Sequence, residues 1–172
     1  MTATAAPESI TVARANAPHV AVIGAGLAGL VTALRLRRAG ARVTLVTKGV
    51  GGLQLGQGTI DLLGYDPERV TNPAKGIEAF AAKHPEHPYA KIGVEAVRSG
   101  VELLSEILGE KLVNGSADEN VLVPTAVGAA RPTAFIPESM KAGVLHGDAK
   151  MVIIGVAQYK DFHPSLIAQN LS

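Results

Sequence analysis

The hydrophobic pattern changes period twice within the first fifty residues. Residues 20–23 form an apolar, mostly β-branched run, which predicts a buried strand. Residues 30–39 are rich in Ala and Leu and are followed by Gly40, which predicts a helix with a glycine just past its end. Residues 41–47 are again β-prone and predict a second strand. This order predicts a βαβ unit with two parallel strands.

Three glycines separate the predicted first strand from the helix, at G-x-G-x-x-G spacing. The first allows a tight turn, the second lets the backbone approach a phosphate, and the third lets the helix pack on the strand. The helix N-terminus adds free N–H groups and a positive dipole end. We therefore predict a bound nucleotide or flavin, although a buried turn without a ligand remains the structural alternative. The predicted contacts are Gly24, Ala25, Gly26, Leu27, Ala28 and Gly29.

A second glycine-rich segment follows the second strand, with five glycines between Gly49 and Gly58. Ordering so many glycines costs backbone entropy, so a flexible surface loop is one interpretation. Because the segment directly follows the strand of a cofactor-binding unit, we favour backbone that wraps closely around a planar or phosphorylated ligand. The predicted contacts are Gly51, Gly52, Gly56, Gly58 and Thr59.

The end of the second strand lacks the carboxylate that holds an adenosine ribose in the common dinucleotide pattern. Thr47 occupies that position and Lys48 follows it. Three ligands remain open on the residues alone: FAD bound without the carboxylate, NADP with Lys48 or Arg42 facing its extra phosphate, or FMN, which has no adenosine. An NADP-binding reductase domain is therefore a rival to a flavoprotein.

Further elements are predicted along the chain from periodicity and turn signals. They are a short helix over 74–84, an amphipathic helix over 90–108, a turn at Asn114-Gly115, a hairpin within 121–137, a helical turn over 138–144, a buried strand over 150–156, and a helix from Pro164 to Leu171 capped by Asp161 or Ser165. The apolar stripe of the 90–108 helix is core or a seam with a partner, so a non-catalytic docking subunit is a third hypothesis.

Composition narrows the class of protein. The chain has 172 residues, 47% hydrophobic and 18% charged, which fits a well-buried α/β domain. With 16 basic and 15 acidic residues, nothing indicates a nucleic-acid footprint. The absence of cysteine excludes disulfides and iron–sulfur ligation by these residues and is compatible with the cytosol.

We expect residues 1–18 to form a disordered tail rather than a secretory signal, since they lack a cationic start and an apolar core. Residues 19–172 are expected to form one Rossmann-like domain, a parallel sheet flanked by helices with a small antiparallel excursion. Its third strand comes late and its last helix is short, so the sheet looks like part of a larger one.

Several polar residues are weaker candidates. The turn containing His84, Glu86 and His87 is interpreted as a rigid surface turn rather than a metal site, so no metal is predicted. Arg131, the only charge in an apolar span, either binds an acidic substrate or extends to solvent. His146 and His163 titrate near neutral pH and are candidate bases, but neither lies in a motif, so the catalytic residue stays unknown.

The chain resembles the B subunit of anaerobic glycerol-3-phosphate dehydrogenase. The resemblance runs from about residue 19 to 171 and rests on the glycine triplet, the 46–49 strand end, the sequence GQGTIDLLGY at 56–65, HPY at 87–89, TAVG with RPT at 125–133, and VIIG with DF at 152–162. The glycine triplet is shared by many flavoproteins, whereas the 56–65 element and the later pieces are more specific.

The resemblance implies an FMN-carrying flavoprotein subunit, with FAD as the alternative, that oxidises sn-glycerol 3-phosphate to dihydroxyacetone phosphate and passes electrons to quinone. It also implies a larger FAD-containing subunit and an iron–sulfur subunit that ties the pair to the inner face of the membrane, with this chain cytoplasmic or peripheral. Family members are more than twice as long, so we expect this chain alone to bind flavin poorly and not to turn over.

Overall fold

The computed structural model describes residues 16–147 and 150–172. They divide into two compact units, Met1–Gln57 and Gly58–Ser172. The predicted tail over residues 1–18 falls mostly on residues 1–15, which lie outside the described residues. A single domain over 19–172 therefore stays a prediction.

The first unit is the predicted βαβ arrangement. Strand β1 (His19–Ile23) is followed by helix α1 (Leu27–Arg38) and strand β2 (Arg42–Val46), with a 3-10 helix at Gly51–Leu55. The strands pair in parallel, so that His19 lies beside Arg42 and Ile23 beside Val46. Their carboxyl ends consequently meet at the same edge, as a nucleotide-binding βαβ unit requires.

Alternation along β1 explains how α1 covers the sheet. Val22 is buried, and its side chain lies 3.7 Å from the position of a Cβ atom on Gly29 of α1. Because successive side chains point to opposite faces, Val20 shares this covered face, whereas Ile23 is exposed. The helix ends before Gly40, which adopts a φ of 85°. The basic residues in its last turn interact favourably with the negative end of the helix dipole.

The second unit mixes helices with short antiparallel strands. Its elements are α2 (Pro73–Lys83), α3 (Pro88–Ile92), α4 (Val94–Leu108), β3 (Asn114–Gly115), β4 (Val121–Pro124), β5 (Ala130–Thr133), β6 (Phe135–Ile136), a 3-10 helix (Glu138–Gly143) and α5 (Pro164–Leu171). Its core contains Val101, Val113, Ala117, Ala134 and Phe135, with Ile60 and Leu62 packed against them.

The helix predicted over 90–108 is two helices. Gly93 has a φ of 77° and both caps α3 and begins α4, because this left-handed conformation interrupts the helical hydrogen bonds. Within α4, Val101 and Leu104 of the predicted stripe are buried, but Leu108 is exposed. The helix predicted over 74–84 is confirmed as α2, which Asn72 caps by accepting the Lys75 N–H at 2.9 Å.

The predicted hairpin is confirmed as β4 and β5, which pair antiparallel from Val121 beside Thr133 to Pro124 beside Ala130. The helical turn predicted over 138–144 is confirmed as a 3-10 helix. The turn predicted at Asn114-Gly115 is wrong, since these residues form β3 and pair with β6. A Cβ atom on Gly115 would lie 2.0 Å from the Ala134 carbonyl oxygen, so the glycine permits this close pairing of strands.

The strand predicted over 150–156 is wrong. These residues form no strand, and Val152 and Ile154 are 86% and 79% exposed. An apolar run becomes a strand only where a neighbouring strand accepts its hydrogen bonds, and none of the described strands pairs with it. Helix α5 does begin at Pro164, but His163 occupies the N-cap position without a side-chain bond, so neither predicted cap residue caps it.

The protein is an α/β protein, because helices alternate with both parallel and antiparallel strands. Within the described residues the parallel sheet has two strands, β1 and β2, so a multi-stranded Rossmann-like sheet is not part of the observed architecture. Among the helices of the described residues, none combines the length and the apolar character needed to cross a membrane.

Candidate cofactor site

The turn after β1 is tight and is tied to the end of β2. Gly24 adopts a φ of 104°, a conformation that disfavours any residue with a Cβ atom. Its N–H donates to the Val46 carbonyl oxygen at 2.8 Å. The last residue of β2 therefore lies directly beside the first glycine of the predicted motif.

The N-terminus of α1 is open on the side where an anion would bind. Gly26 is the N-cap residue, and no side chain bonds to the first turn of the helix. A Cβ atom on Gly26 would meet no protein atom within 4 Å, so space remains in front of the backbone. The first helical N–H groups have no partner within the helix, and the first turn contains no acidic residue. The donors fit a phosphate group.

Gly29 fulfils the packing role predicted for it. A Cβ atom at this position would lie 2.0 Å from the Gly24 carbonyl oxygen, well inside van der Waals contact. Helix α1 therefore crosses the turn at a distance that only glycine permits. Ala25 is buried beside this crossing, whereas Leu27 is exposed on the first turn of the helix. Ala28, next along the helix, is also exposed.

The second glycine-rich segment returns to the first. Gly51 has a φ of 71°, and a Cβ atom there would lie 2.6 Å from the Ala25 carbonyl oxygen and 2.7 Å from the Gly26 nitrogen. The two segments therefore meet at the N-terminus of α1. Gly52 lies within the 3-10 helix and Gly56 ends it, with the Gly56 N–H donating to the Leu53 carbonyl oxygen at 3.2 Å.

Thr47 and Lys48 follow β2 at the same edge of the sheet. The Thr47 hydroxyl donates to the Gly49 carbonyl oxygen and accepts the Gly49 N–H at 3.1 Å, which closes a local turn. Both side chains are exposed. Arg42, the other cation considered for an NADP phosphate, begins β2 beside His19, about 13 Å along the strand from Val46. That expectation for Arg42 is therefore wrong, because it lies at the opposite end of the strand.

Gly58 and Thr59 belong to the second unit. Gly58 adopts a φ of 86°, and the Thr59 hydroxyl accepts a hydrogen bond from the Arg131 guanidinium at 2.9 Å. Arg131 also lies 3.7 Å from an Asp61 carboxylate oxygen. Its side chain is one-third exposed and turned onto these two residues rather than simply extended into solvent.

Both candidate bases lie on the second unit. His146 is exposed and lines a groove with Gly128 and Met151. His163 is exposed at the start of α5, where its backbone carbonyl accepts the Ile167 N–H at 3.1 Å. Neither histidine is given a role in proton transfer by these contacts.

The histidines of the predicted rigid turn have structural contacts. The His84 ring packs on Phe80 with centroids 4.3 Å apart, and His87 caps α3 by accepting the Tyr89 N–H at 3.2 Å. Burial raises the pKa of the Tyr89 phenol. Across residues 16–147 and 150–172, no group of three His, Cys, Asp or Glu side chains is arranged to hold a metal ion.

A bidentate ion pair lies on the second unit. Arg98 of α4 donates two hydrogen bonds to Asp118, at 2.6 and 2.8 Å. These bonds hold the pKa of the Asp118 carboxyl below its usual value and raise the pKa of Arg98. Asp118 lies in the turn that precedes β4, so the pair links α4 to the antiparallel strands.

Sequence reasoning missed three polar residues that organise the second unit. Asp61 pairs with Arg131. The sequence feature that could have indicated this pairing is its spacing from Thr59, because side chains two residues apart in an extended stretch share a face. Thr133 is fully buried and donates to the Ile60 carbonyl oxygen at 3.3 Å. The Asn120 amide donates to the carbonyl oxygens of Leu63 and Val70, at 2.9 and 2.8 Å, and no pattern in the sequence indicates that role.

Comparison with known proteins places these features in a family context. The model of the FAD binding domain family matches residues 19–172, which include both glycine-rich segments. No solved structure matches the chain.

Curated relatives share one description. The chain is 36% identical to the B subunit of anaerobic glycerol-3-phosphate dehydrogenase from Mannheimia succiniciproducens, over 88% of this chain and 37% of that protein. It is also 36% identical to the protein of that name from Yersinia enterocolitica, over 88% of this chain and 38% of that protein. A protein from Halobacterium salinarum, described as the probable B subunit of the same enzyme, is 33% identical over 89% of this chain and 36% of its own length. The chain thus spans over a third of the length of these relatives.

Proposed function

We propose that this chain, which belongs to the FAD binding domain family, forms the nucleotide-binding part of a flavoprotein oxidoreductase subunit. The observation that carries the proposal is the open N-terminus of α1. Gly26 leaves space before the helix, Gly29 packs under the turn, and Gly51 brings a second glycine-rich segment against Ala25. These contacts support a site where backbone N–H groups hold a pyrophosphate.

The residues divide by the part of the cofactor that each would hold. The backbone from Gly24 to Gly29 takes the pyrophosphate, which needs N–H donors and no carboxylate nearby. Thr47 and Lys48, at the end of β2, lie where the adenosine ribose of a dinucleotide binds. We assign the flavin ring to the second glycine-rich segment and the residues that follow it, namely Gly51, Gly52, Gly56, Gly58 and Thr59.

We propose FAD as the cofactor. The missing carboxylate at Thr47 favours FMN, but the family description supports FAD instead. A threonine hydroxyl is able to hydrogen-bond a ribose. The Thr47 hydroxyl, however, already donates to the Gly49 carbonyl oxygen and accepts the Gly49 N–H. The adenosine is therefore held less strongly here than by a carboxylate, and FMN is the competing outcome of the test.

The proposed reaction is the oxidation of sn-glycerol 3-phosphate to dihydroxyacetone phosphate, with electrons passed to quinone. The relatives that support it are named as the B subunit of anaerobic glycerol-3-phosphate dehydrogenase. When bound, the flavin supplies the acceptor for a hydride from the secondary alcohol carbon. The contribution of this chain is to bind and orient the cofactor, since no described histidine is placed as a base by its contacts.

We further propose that the chain works with other subunits. The word subunit in the relatives' names supports a multi-subunit enzyme. A larger FAD-containing subunit and an iron–sulfur subunit would place the complex at the inner face of the membrane. Co-purification of such a partner with a chain that binds no cofactor would favour the docking-subunit hypothesis instead.

Titration of the purified chain with FAD, FMN and NADPH tests the cofactor directly. We expect saturable but weak quenching of FAD fluorescence, because the chain spans over a third of its relatives' length. We expect still weaker binding of FMN and no competition by NADPH. The Lys48→Glu variant distinguishes a reductase domain from a flavoprotein. It abolishes NADPH binding in a reductase domain, whereas FMN, which has no adenosine, is expected to bind the variant as it binds the wild type. Tight NADPH binding that Lys48→Glu removes, without flavin binding, would overturn the proposal.

A further inference from the structure

Arg131 contacts two residues of the extended stretch that follows the second glycine-rich segment. One guanidinium nitrogen donates to the Thr59 hydroxyl at 2.9 Å, and another lies 3.7 Å from the Asp61 carboxylate. Arg131 is far from both in sequence, since it lies on β5 of the hairpin. A single side chain therefore joins this stretch to the antiparallel strands.

Ile60, between Thr59 and Asp61, is held by backbone hydrogen bonds. The Ile60 N–H donates to the Phe135 carbonyl oxygen at 3.0 Å, and the Ile60 carbonyl accepts the N–H groups of Ala134 and Phe135 at 3.2 and 3.1 Å. In extended backbone, the side chains of residues i and i+2 share a face. Thr59 and Asp61 accordingly present their side chains together, and Arg131 contacts both.

The residue immediately before this stretch is a glycine in the left-handed region. Gly58 adopts a φ of 86°, and a Cβ atom there would have only ordinary contact with Pro137, at 3.6 Å. Glycine populates many backbone conformations, so the direction in which the chain leaves Gly58 is determined by what holds Thr59. In this structure the Arg131 guanidinium bonds the Thr59 side chain.

Arg131 is suited to this task by its type and surroundings. It is the only charged residue between Val121 and Pro137. A guanidinium offers several donors in one plane, so it bonds a hydroxyl and a carboxylate at once, which a lysine ammonium does with less geometric definition. Asp61 balances its charge, so the group is not a free anion-binding site.

We infer that Arg131 is a positioning residue for the cofactor: it fixes Thr59 and Asp61, and thereby the backbone of Gly58 and Thr59 that the flavin contacts. The inference rests on the proposed function, which assigns Gly58 and Thr59 to the flavin. Arg131 itself touches neither cofactor nor substrate in this role. Its loss reduces cofactor affinity because the stretch must be ordered when FAD binds.

The first test is FAD titration of the full 172-residue chain and its variants. Arg131→Met keeps the apolar stem and removes the donors, and Thr59→Val removes the hydroxyl at constant shape. We expect each to weaken FAD binding by about tenfold, the loss of one charge-assisted hydrogen bond. The double variant is expected to be no weaker than Arg131→Met alone, and Arg131→Lys to recover part of the affinity.

Arg98→Met is the matched control, since it removes the arginine of the same unit that makes two hydrogen bonds to Asp118. It is expected to lower thermal stability and leave FAD affinity unchanged. A folded Arg131→Met chain that binds FAD like the wild type would overturn the inference, as would an equal loss in Arg98→Met.

Hydrogen exchange without flavin separates this inference from the proposed function. We expect Arg131→Met to increase exchange of the Ile60 amide, whose N–H donates to the Phe135 carbonyl oxygen at 3.0 Å, and Arg98→Met to leave this amide unchanged. Unchanged exchange in Arg131→Met contradicts the positioning role whatever the chain binds. A wild-type chain that binds no FAD, with the expected exchange result, contradicts the proposed function and leaves the positioning of the 59–61 stretch standing as a structural role only.

Discussion

A Cβ atom added to Gly29 would lie 2.0 Å from the carbonyl oxygen of Gly24. The two residues belong to the same glycine motif, yet they have different tasks. Gly24 makes the turn and Gly29 lets helix α1 pass directly over it. A third glycine, Gly26, borders open space instead. The motif therefore separates into positions needed for folding and a position needed for a ligand.

This separation predicts opposite results for two alanine variants. Gly29→Ala forces a Cβ atom into backbone and is expected to destabilise the first unit by about 3 kcal/mol. Gly26→Ala places its Cβ where no protein atom lies, so its cost stays within about 1 kcal/mol, as for a change of N-cap residue. Hydrogen exchange of the β1 and β2 amides measures both. Equal destabilisation by the two variants would contradict the packing assigned to Gly29.

Gly26→Glu tests where the cofactor phosphate lies. The carboxylate projects into the space before α1, where it excludes a phosphate by volume and repels it by charge. We expect FAD binding to fall by at least about a hundredfold while the circular dichroism spectrum is unchanged. Gly143→Glu adds the same charge at a glycine that also borders open space, in the second unit, and is expected to keep wild-type affinity. Retained binding in folded Gly26→Glu would show that the phosphate lies elsewhere.

Thr47→Asp tests whether an adenosine ribose lies at the end of β2. Aspartate keeps an oxygen that accepts the Gly49 N–H, and its second oxygen is available to a ribose hydroxyl. The change is expected to strengthen FAD binding by about fivefold and to leave FMN binding unchanged, because FMN has no adenosine. Parallel titrations with the two flavins measure the difference. Equal effects on FAD and FMN would place the adenosine away from Thr47.

The Arg98–Asp118 pair predicts part of the pH dependence of stability. Hydrogen bonds from Arg98 lower the folded-state pKa of Asp118 from its ordinary 3.8. A lowered folded pKa means that the pair stabilises the protein above the ordinary value and loses this effect as pH falls through the lowered value. The difference in free energy of unfolding between wild type and Asp118→Asn should be constant well above the ordinary pKa of 3.8 and shrink as the pH falls below it. A difference that is independent of pH would contradict this assignment.

The sequence was most informative where periodicity and glycine placement act locally. The βαβ unit from His19 to Val46 follows from residue patterns alone, because strand, turn and helix are each determined by near neighbours. The break at Gly93 was missed because the helical pattern continues on both sides, and only the positive φ shows the interruption. A glycine within a helical pattern is often tolerated, so its sequence position did not decide the matter.

Long-range contacts account for what the sequence did not reveal. The 150–156 run has the pattern of a buried strand because its residues are apolar and β-branched, but strand formation depends on a neighbour that sequence pattern does not identify. Likewise, Arg131 stands out in the sequence as an isolated charge, whereas its partners Thr59 and Asp61 lie about seventy residues away. Pairing at such separation depends on the fold rather than on local pattern.

The absorbance spectrum of the purified chain, with mass spectrometry of the molecule released on heating, tests directly whether the site at Gly26 binds a flavin. If the site at Gly26 holds a flavin, the spectrum of the protein in the presence of FAD shows flavin bands displaced from those of free FAD, and the molecule released on heating is FAD. Release of FMN from the isolated protein would identify FMN, and not FAD, as the cofactor of the site. A folded chain that leaves the bands of both flavins unchanged, even at high flavin concentration, would contradict a flavin site at Gly26.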